Sequence, residues 1–190
     1  ASLESGYLKT HIGNISIQAG KDAIWWGHGQ QGSLLLTNNA TPLTSIKFSN
    51  IEPRQMPKPL SFLGKGNVSL VYSELESNRD VPSPSFLGIR KDFTPSKNFT
   101  FAVARTSMIG GKGHMLSSGD YWDFLTGKNA NTAAGDKWNS IAGLDFRWRV
   151  PKWNGVQIYG ELYGEDQATG MGIIPSPSKN AFTAGFYIPR

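Results

Sequence analysis

Charged side chains alternate with apolar ones in two neighbouring segments, and the spacing of four of them suggests ion pairing across neighbouring strands. In 141–150 and again in 156–165, apolar residues recur at every second position, which is typical of half-buried β-strands. The short connection between these segments predicts that they pair antiparallel. Opposite charges on one face of such a pair contribute about 0.2–1 kcal/mol each. We therefore predict charge pairs lining a polar barrel interior, formed by Arg147 and Arg149 with Glu161 and Glu165.

The same glutamates do not predict catalysis. Glu161 and Glu165 would lie about 13 Å apart along one strand face at the usual rise per residue, which is too far for a glycosidase carboxylate pair. The 3 histidines are scattered without metal-ligand spacing, and the glycine-rich run at 110–113 lacks the strand–loop–helix context of a phosphate-binding loop. Cysteine is absent, which excludes disulfides and thiolate metal sites. We expect no catalytic residue, no metal site and no cofactor.

Composition limits the partners and the class of fold. The formal net charge is +5, and the basic residues do not cluster among aromatic ones, so no nucleic acid partner is expected. The 22 glycines, 11 prolines and 12% aromatic residues suit turns and pleated surfaces. No apolar run is long enough for a transmembrane helix. The first residues carry neither region of a signal peptide, so a mature form or an internal fragment is expected.

The alternation predicts an all-β fold, with an antiparallel meander of about nine strands that forms part of a transmembrane outer-membrane β-barrel. The whole chain, 1–190, is predicted to be a single partial barrel domain. The clearest strands have the length of a tilted membrane-spanning strand, about 9–11 residues, whereas soluble strands usually have about five or six. A soluble carbohydrate-binding β-sandwich is the alternative. The predicted strands cover 11–19, 33–38, 44–49, 67–75, 86–91, 99–106, 141–150, 156–165 and 181–188, with short helices at 61–63 and 121–125.

The long connection after the strand at 99–106 carries the residue types that bind sugars. Flat aromatic faces pack against sugar rings, and planar polar groups match vicinal hydroxyls. The rim of any barrel would carry similar residues, so composition alone does not separate sugar binding from anchoring at a membrane interface. The candidate carbohydrate-binding residues are Tyr121, Trp122, Asp123, Asn129 and Trp138.

Residues 20–40, GKDAIWWGHGQQGSLLLTNNA, form the most distinctive run in the chain. Later runs follow it in a fixed order, namely LGIR at 87–90, AGLDFRW at 142–148 and YGED at 163–166. Together these runs resemble the capsule assembly protein Wzi family. His28 stands where that family usually has proline.

The resemblance implies a lectin of the bacterial outer membrane, without catalytic activity, that holds capsular polysaccharide at the cell surface. Members of that family are longer, with an N-terminal periplasmic helical part and additional strands. We therefore expect a central fragment whose partners are capsular polysaccharide, outer-membrane lipid and the missing strands of the same barrel. A porin-like channel is the alternative within the same fold.

Counting the predicted strands places the distinctive run at the end of the barrel that carries the short turns. In outer-membrane barrels that end faces the periplasm. We therefore predict a structural motif rather than a sugar site, in which glycines bend the wall, one tryptophan lies at the membrane interface and an Asn-Asn pair forms a tight turn. The residues of this predicted structural motif are Trp25, Trp26, Gly27, Gly29, Asn38 and Asn39.

Overall fold

The computed structural model describes residues 4–126, 138–165 and 179–189, and most of them belong to one antiparallel sheet. The strands are β1 (Gly6–Ile12), β2 (Ile15–Asp22), β3 (Leu43–Asn50), β4 (Arg54–Gln55), β5 (Lys65–Glu74), β6 (Ser85–Ser96), β7 (Phe99–Ile109), β8 (Trp138–Val150), β9 (Val156–Glu165) and β10 (Lys179–Tyr187). In the described parts of the connections lie one α-helix, α1 (Ser118–Thr126), and two 3-10 helices, Leu60–Leu63 and Pro151–Trp153.

The strands follow one another across the sheet in chain order, so the predicted antiparallel meander is confirmed. The order is β1-β2-β3-β5-β6-β7-β8-β9-β10, and the short β4 pairs only with β5. Among the described residues, β1 and β10 form the two edges of this sheet. Both short helices predicted from the sequence are present, as the 3-10 helix Leu60–Leu63 and as α1.

The two faces of the sheet differ in chemistry, because successive side chains of a strand point to opposite sides. On what we call the polar face, Asp145 of β8 lies opposite Glu161 of β9, and both are buried. On the other side, the apolar face, Leu144 lies opposite Leu162, and both are exposed. Further exposed side chains of the apolar face are Ile46, Phe48, Trp148, Phe182 and Phe186.

Two of the predicted strands are wrong. The two errors offset each other in the number of strands, but they change the end of the sheet from which the distinctive run starts. The segment predicted as one strand at 11–19 is a hairpin of β1 and β2, turned at Gly13, whose φ of 56° suits a tight turn. The predicted strand at 33–38 does not form; this segment makes only an isolated bridge between Leu36 and Trp26. As a result, the connection after β2 leaves the sheet at the same end as those after β5 and β7. The distinctive run therefore starts from the end opposite to the short turns, and the predicted orientation is wrong.

Helix α1 packs on the apolar face near the ends of β6 and β7. Phe124 is buried against Leu87 and Ile109, and the guanidinium of Arg105 lies 5.1 Å from the centre of the Phe124 ring. Among the residues that the structure describes, no helix is long and apolar enough to cross a membrane.

Candidate binding site on the polar face

Residues 23–36 fold across the polar face of the sheet; we call them the WWG segment. Trp26 is only 6% exposed and forms a core cluster with Val71, Ala104 and Tyr163. The strand positions beneath the indole are small, and a Cβ on Gly88 would lie 2.8 Å from the Trp26 ring. The Trp26 amide also donates to the Leu36 carbonyl at 3.0 Å, which closes the segment into a loop. Small residues on β6 and β7 therefore create the space that this tryptophan fills.

Glu161 anchors the WWG segment to the sheet. Its carboxylate accepts hydrogen bonds from the backbone amides of Gly29 and Leu34, both at 2.8 Å, and from the Ser33 hydroxyl at 3.1 Å. The single proton of the Ser33 hydroxyl is shared between this carboxylate and the Trp26 carbonyl. Gly27 allows this close approach, because its φ of 153° favours glycine and a Cβ there would overlap the Glu161 carboxylate. One buried acid thus replaces the backbone partners that the loop lacks.

A second buried acid, Asp145, is held by a network within the wall. Arg90 donates to both of its carboxylate oxygens at 2.7 and 2.8 Å, and the Tyr163 hydroxyl donates at 2.6 Å. Arg90 also donates to Asp92 at 2.9 Å. Two carboxylates directly opposite each other would repel. The register of β8 and β9 is tolerated because Asp145 has a bidentate cation and Glu161 has amide donors.

His28 of the WWG segment faces the Asp145 network. Its Nε2 is 3.6 Å from the nearer Asp145 oxygen and, among the described residues, has no hydrogen-bond partner although it is buried. Burial lowers the pKa of His28 from its usual 6.5, and the charges of Arg90 and Arg147 act in the same direction. Asp145 and, more weakly, Asp92 oppose this shift. Burial therefore favours the neutral form of the imidazole.

A cleft of about 300 Å³ opens beside the WWG segment on the polar face. It combines one aromatic ring, an imidazole, an amide, a guanidinium and the backbone of two glycines. The Trp25 ring is 38% exposed, and its Nε1 donates to the Gly27 carbonyl at 3.2 Å, which fixes the orientation of the indole. The residues lining the cleft are Trp25, Gly27, His28, Gly29, Gln30 and Arg147.

The predicted pairing of arginines with glutamates on the polar face does not form. The four residues do share that face, but the register places Arg147 opposite Tyr159 and Arg149 opposite Gln157. Glu161 binds the WWG segment instead, and Glu165 pairs with Lys179 of β10 at 3.2 Å. Alternation alone decides the face of the sheet on which a side chain lies. The residue that lies opposite it depends on the register of the two strands, which the turn at 151–155 sets.

The structure also changes the interpretation of the predicted structural motif. Trp26 is buried in the wall rather than placed at a membrane interface, and Gly27 and Gly29 allow close approach to Glu161. Asn38 and Asn39 do form the predicted turn, where the Asn39 amide donates to the Thr37 hydroxyl at 2.9 Å. The aromatic and glycine residues of the motif therefore belong to the polar-face site, namely Trp25, Trp26, Gly27 and Gly29.

The predicted sugar-binding residues are only partly described. Tyr121, Trp122 and Asp123 lie in succession on α1, where Trp122 is 65% exposed. Asn129 and the side chain of Trp138 lie outside the described residues. Helix α1, which carries Tyr121, Trp122 and Asp123, packs on the opposite face of the sheet from the cleft.

Sequence reasoning did not assign roles to Arg90, Asp145 and Tyr163. The signal was available in part, because alternation places Asp145 and Tyr163 on the polar face beside Glu161. Arg90 reaches Asp145 from two strands away, across Ala104 of β7. Only the packed sheet shows this connection.

Comparisons with known proteins agree with this architecture. A family model described as capsule assembly protein Wzi matches residues 1–190. A Klebsiella pneumoniae protein described as an uncharacterized 55.8 kDa protein in the cps region is 28% identical over 176 residues, covering 90% of this chain and 34% of that protein.

A solved structure extends the comparison to the fold. It is that of Wzi, an outer membrane protein involved in group 1 capsule assembly in Escherichia coli, described as a carbohydrate-binding β-barrel. The TM-score is 0.78 at 27% identity, over 95% of this chain and 37% of that one. The chain thus spans about a third of the length of these relatives.

Proposed function

Because the chain belongs to the capsule assembly protein Wzi family, we propose that it forms part of an outer-membrane β-barrel that binds capsular polysaccharide and helps attach it to the bacterial surface. The cleft beside the WWG segment is the observation that carries this proposal. Its aromatic ring, amide and guanidinium are the groups that recognise sugar rings and hydroxyls. The proposed activity is binding without catalysis.

The apolar face is proposed to contact outer-membrane lipid. Soluble monomers rarely expose contiguous apolar patches beyond a few hundred Å², whereas this face exposes apolar side chains from β3 to β10. Trp148 and Trp153 are 49% and 61% exposed near the short-turn end, which matches an interfacial aromatic girdle. Because open sheet edges are costly in lipid, we propose that β1 and β10 pair with further strands of the same barrel.

We propose that α1 supplies a second sugar contact at the end where the connections after β2, β5 and β7 leave the sheet. In outer-membrane barrels the longer loops face outward, so this end would face the capsule. Exposed Tyr121 and Trp122 offer aromatic faces, and Asp123 lies beside them in the helix. Asn129 and Trp138 complete the set that the sequence predicts.

Binding of purified capsular polysaccharide to the whole protein in detergent tests this proposal. We expect saturable binding in a calorimetric titration. A complete lack of affinity for any glycan from capsule-producing cells would refute it. Conductance in planar bilayers tests the porin-like alternative, for which the polar face of the sheet is the supporting observation. Since the WWG segment crosses that face, we expect the wild-type protein to conduct poorly.

A further inference from the structure

The cleft beside the WWG segment carries a positive charge, which limits the class of ligand that it can bind. We propose that this cleft is a subsite for an acidic sugar residue, whose carboxylate pairs with Arg147. This inference rests on the proposed function and names the class of sugar that the site takes. It follows from the partners of the neighbouring acids and from the other groups that line the cleft.

Arg147 brings a positive charge to the cleft that the nearby acids do not use. Asp145 and Asp92 are bonded to Arg90, and both oxygens of Glu161 accept hydrogen bonds from the WWG segment. Within the described parts of the chain, Arg147 takes part in no ion pair, and its side chain is exposed. A guanidinium is the side chain best matched to a carboxylate, because it donates to both oxygens at once.

The remaining lining groups suit a sugar ring rather than a simple anion. The Trp25 indole lines the cleft and is held by its own hydrogen bond to the Gly27 carbonyl. His28 also lines the cleft, while its Nε2 is buried and faces Asp145 at 3.6 Å. Gln30 adds an amide that both donates and accepts.

The size of the cleft limits how much ligand it holds. At about 300 Å³ it lies at the lower end of the range of roughly 300–1,000 Å³ for small-molecule sites. This volume suits a single sugar residue of a longer chain. Such a residue would be bound by its ring on Trp25 and by its carboxylate on Arg147.

The test compares two forms of one polysaccharide and two arginine variants of the whole protein in detergent. The probes are an acidic capsular polysaccharide that contains uronic acid, and the same material after chemical reduction of its carboxyl groups. The variants are Arg147→Gln and the matched control Arg149→Gln, two residues along β8 on the same face and outside the cleft lining. Both arginines are exposed, so neither variant is expected to affect folding, which thermal unfolding checks.

We expect wild type to bind the acidic form about tenfold or more tightly than the reduced form, as charge-assisted bidentate hydrogen bonds imply. Arg147→Gln should remove that preference and leave binding of the reduced form unchanged. Arg149→Gln should keep the preference within about twofold of wild type. Both titrations contain added salt, which screens any general effect of net charge. Equal weakening by both variants, or equal weakening of both forms by Arg147→Gln, would overturn the acidic subsite. If wild type binds neither form, the proposed function itself fails.

Discussion

Replacing Glu161 by glutamine should release the WWG segment from the polar face. The carboxylate accepts three hydrogen bonds from that segment, at 2.8 Å from Gly29, 3.1 Å from Ser33 and 2.8 Å from Leu34. Glutamine keeps the shape but offers one acceptor oxygen, and its NH2 group faces a donor. Because one buried amide is then left without a partner, at a cost of about 1–3 kcal/mol, and the charge assistance is lost, we expect a total cost of about 2–4 kcal/mol.

Amide hydrogen exchange of the whole protein in detergent measures this loss of stability separately for each part of the chain. A loss of about 2–4 kcal/mol corresponds to exchange that is roughly 30-fold to 1,000-fold faster, at about 1.4 kcal/mol per tenfold. This acceleration should be confined to peptides that cover residues 23–36, while the strands keep their protection. The expected pattern is local opening of the WWG segment rather than unfolding of the sheet.

Glu165→Gln provides the matched control. Glu165 lies on the same strand and the same face, but it is exposed, and its partner Lys179 is 3.2 Å away at the surface. Exposed ion pairs are typically worth about 0.2–1 kcal/mol, so exchange in residues 23–36 should not change. The reasoning is refuted if Glu161→Gln leaves this exchange at the wild-type rate, or if both variants accelerate it equally.

Three further predictions concern the same face. Gly27→Ala should lower the free energy of unfolding in urea by about 2 kcal/mol or more, because the φ is unfavourable for alanine and the Cβ would overlap the groups that hold the segment. Gly32→Ala is the control and should leave this free energy unchanged, because its Cβ would meet nothing within 4 Å. Arg90→Met should lower the free energy of unfolding by about 3–5 kcal/mol, because it leaves the buried Asp145 carboxylate without its cation. Lys91→Met is the control; Lys91 is exposed on the apolar face, so this variant should not lower the unfolding midpoint. Burial lowers the pKa of His28 below 6.5, so the unfolded chain binds a proton at a higher pH than the folded chain does. The free energy of unfolding should therefore fall as the pH drops below 6.5, and His28→Gln should reduce this dependence. An unchanged pH profile of unfolding in the variant would contradict this prediction.

Several features of this protein follow from the sequence by itself. The alternation in β8 and β9 assigns Asp145, Arg147 and Glu161 to one face and the apolar residues to the other, and the structure confirms this division. Alternation is reliable because it is a local property of the pleated chain, which does not depend on what the strand packs against. The family was also recognisable, because the run at 20–40 is distinctive without any fold.

The partners of these side chains, in contrast, depend on how distant strands pack together. Glu161 binds the amide of Gly29, which is 132 positions away, and Arg90 reaches Asp145 across an intervening strand. The leucines of residues 34–36, which read as a strand, pack instead against the Trp26 cluster. A short apolar run can be buried by pairing in a sheet or by packing across one, and the choice depends on space. Here the small residues of distant strands provide that space, and this is a property of the assembled wall rather than of the run itself.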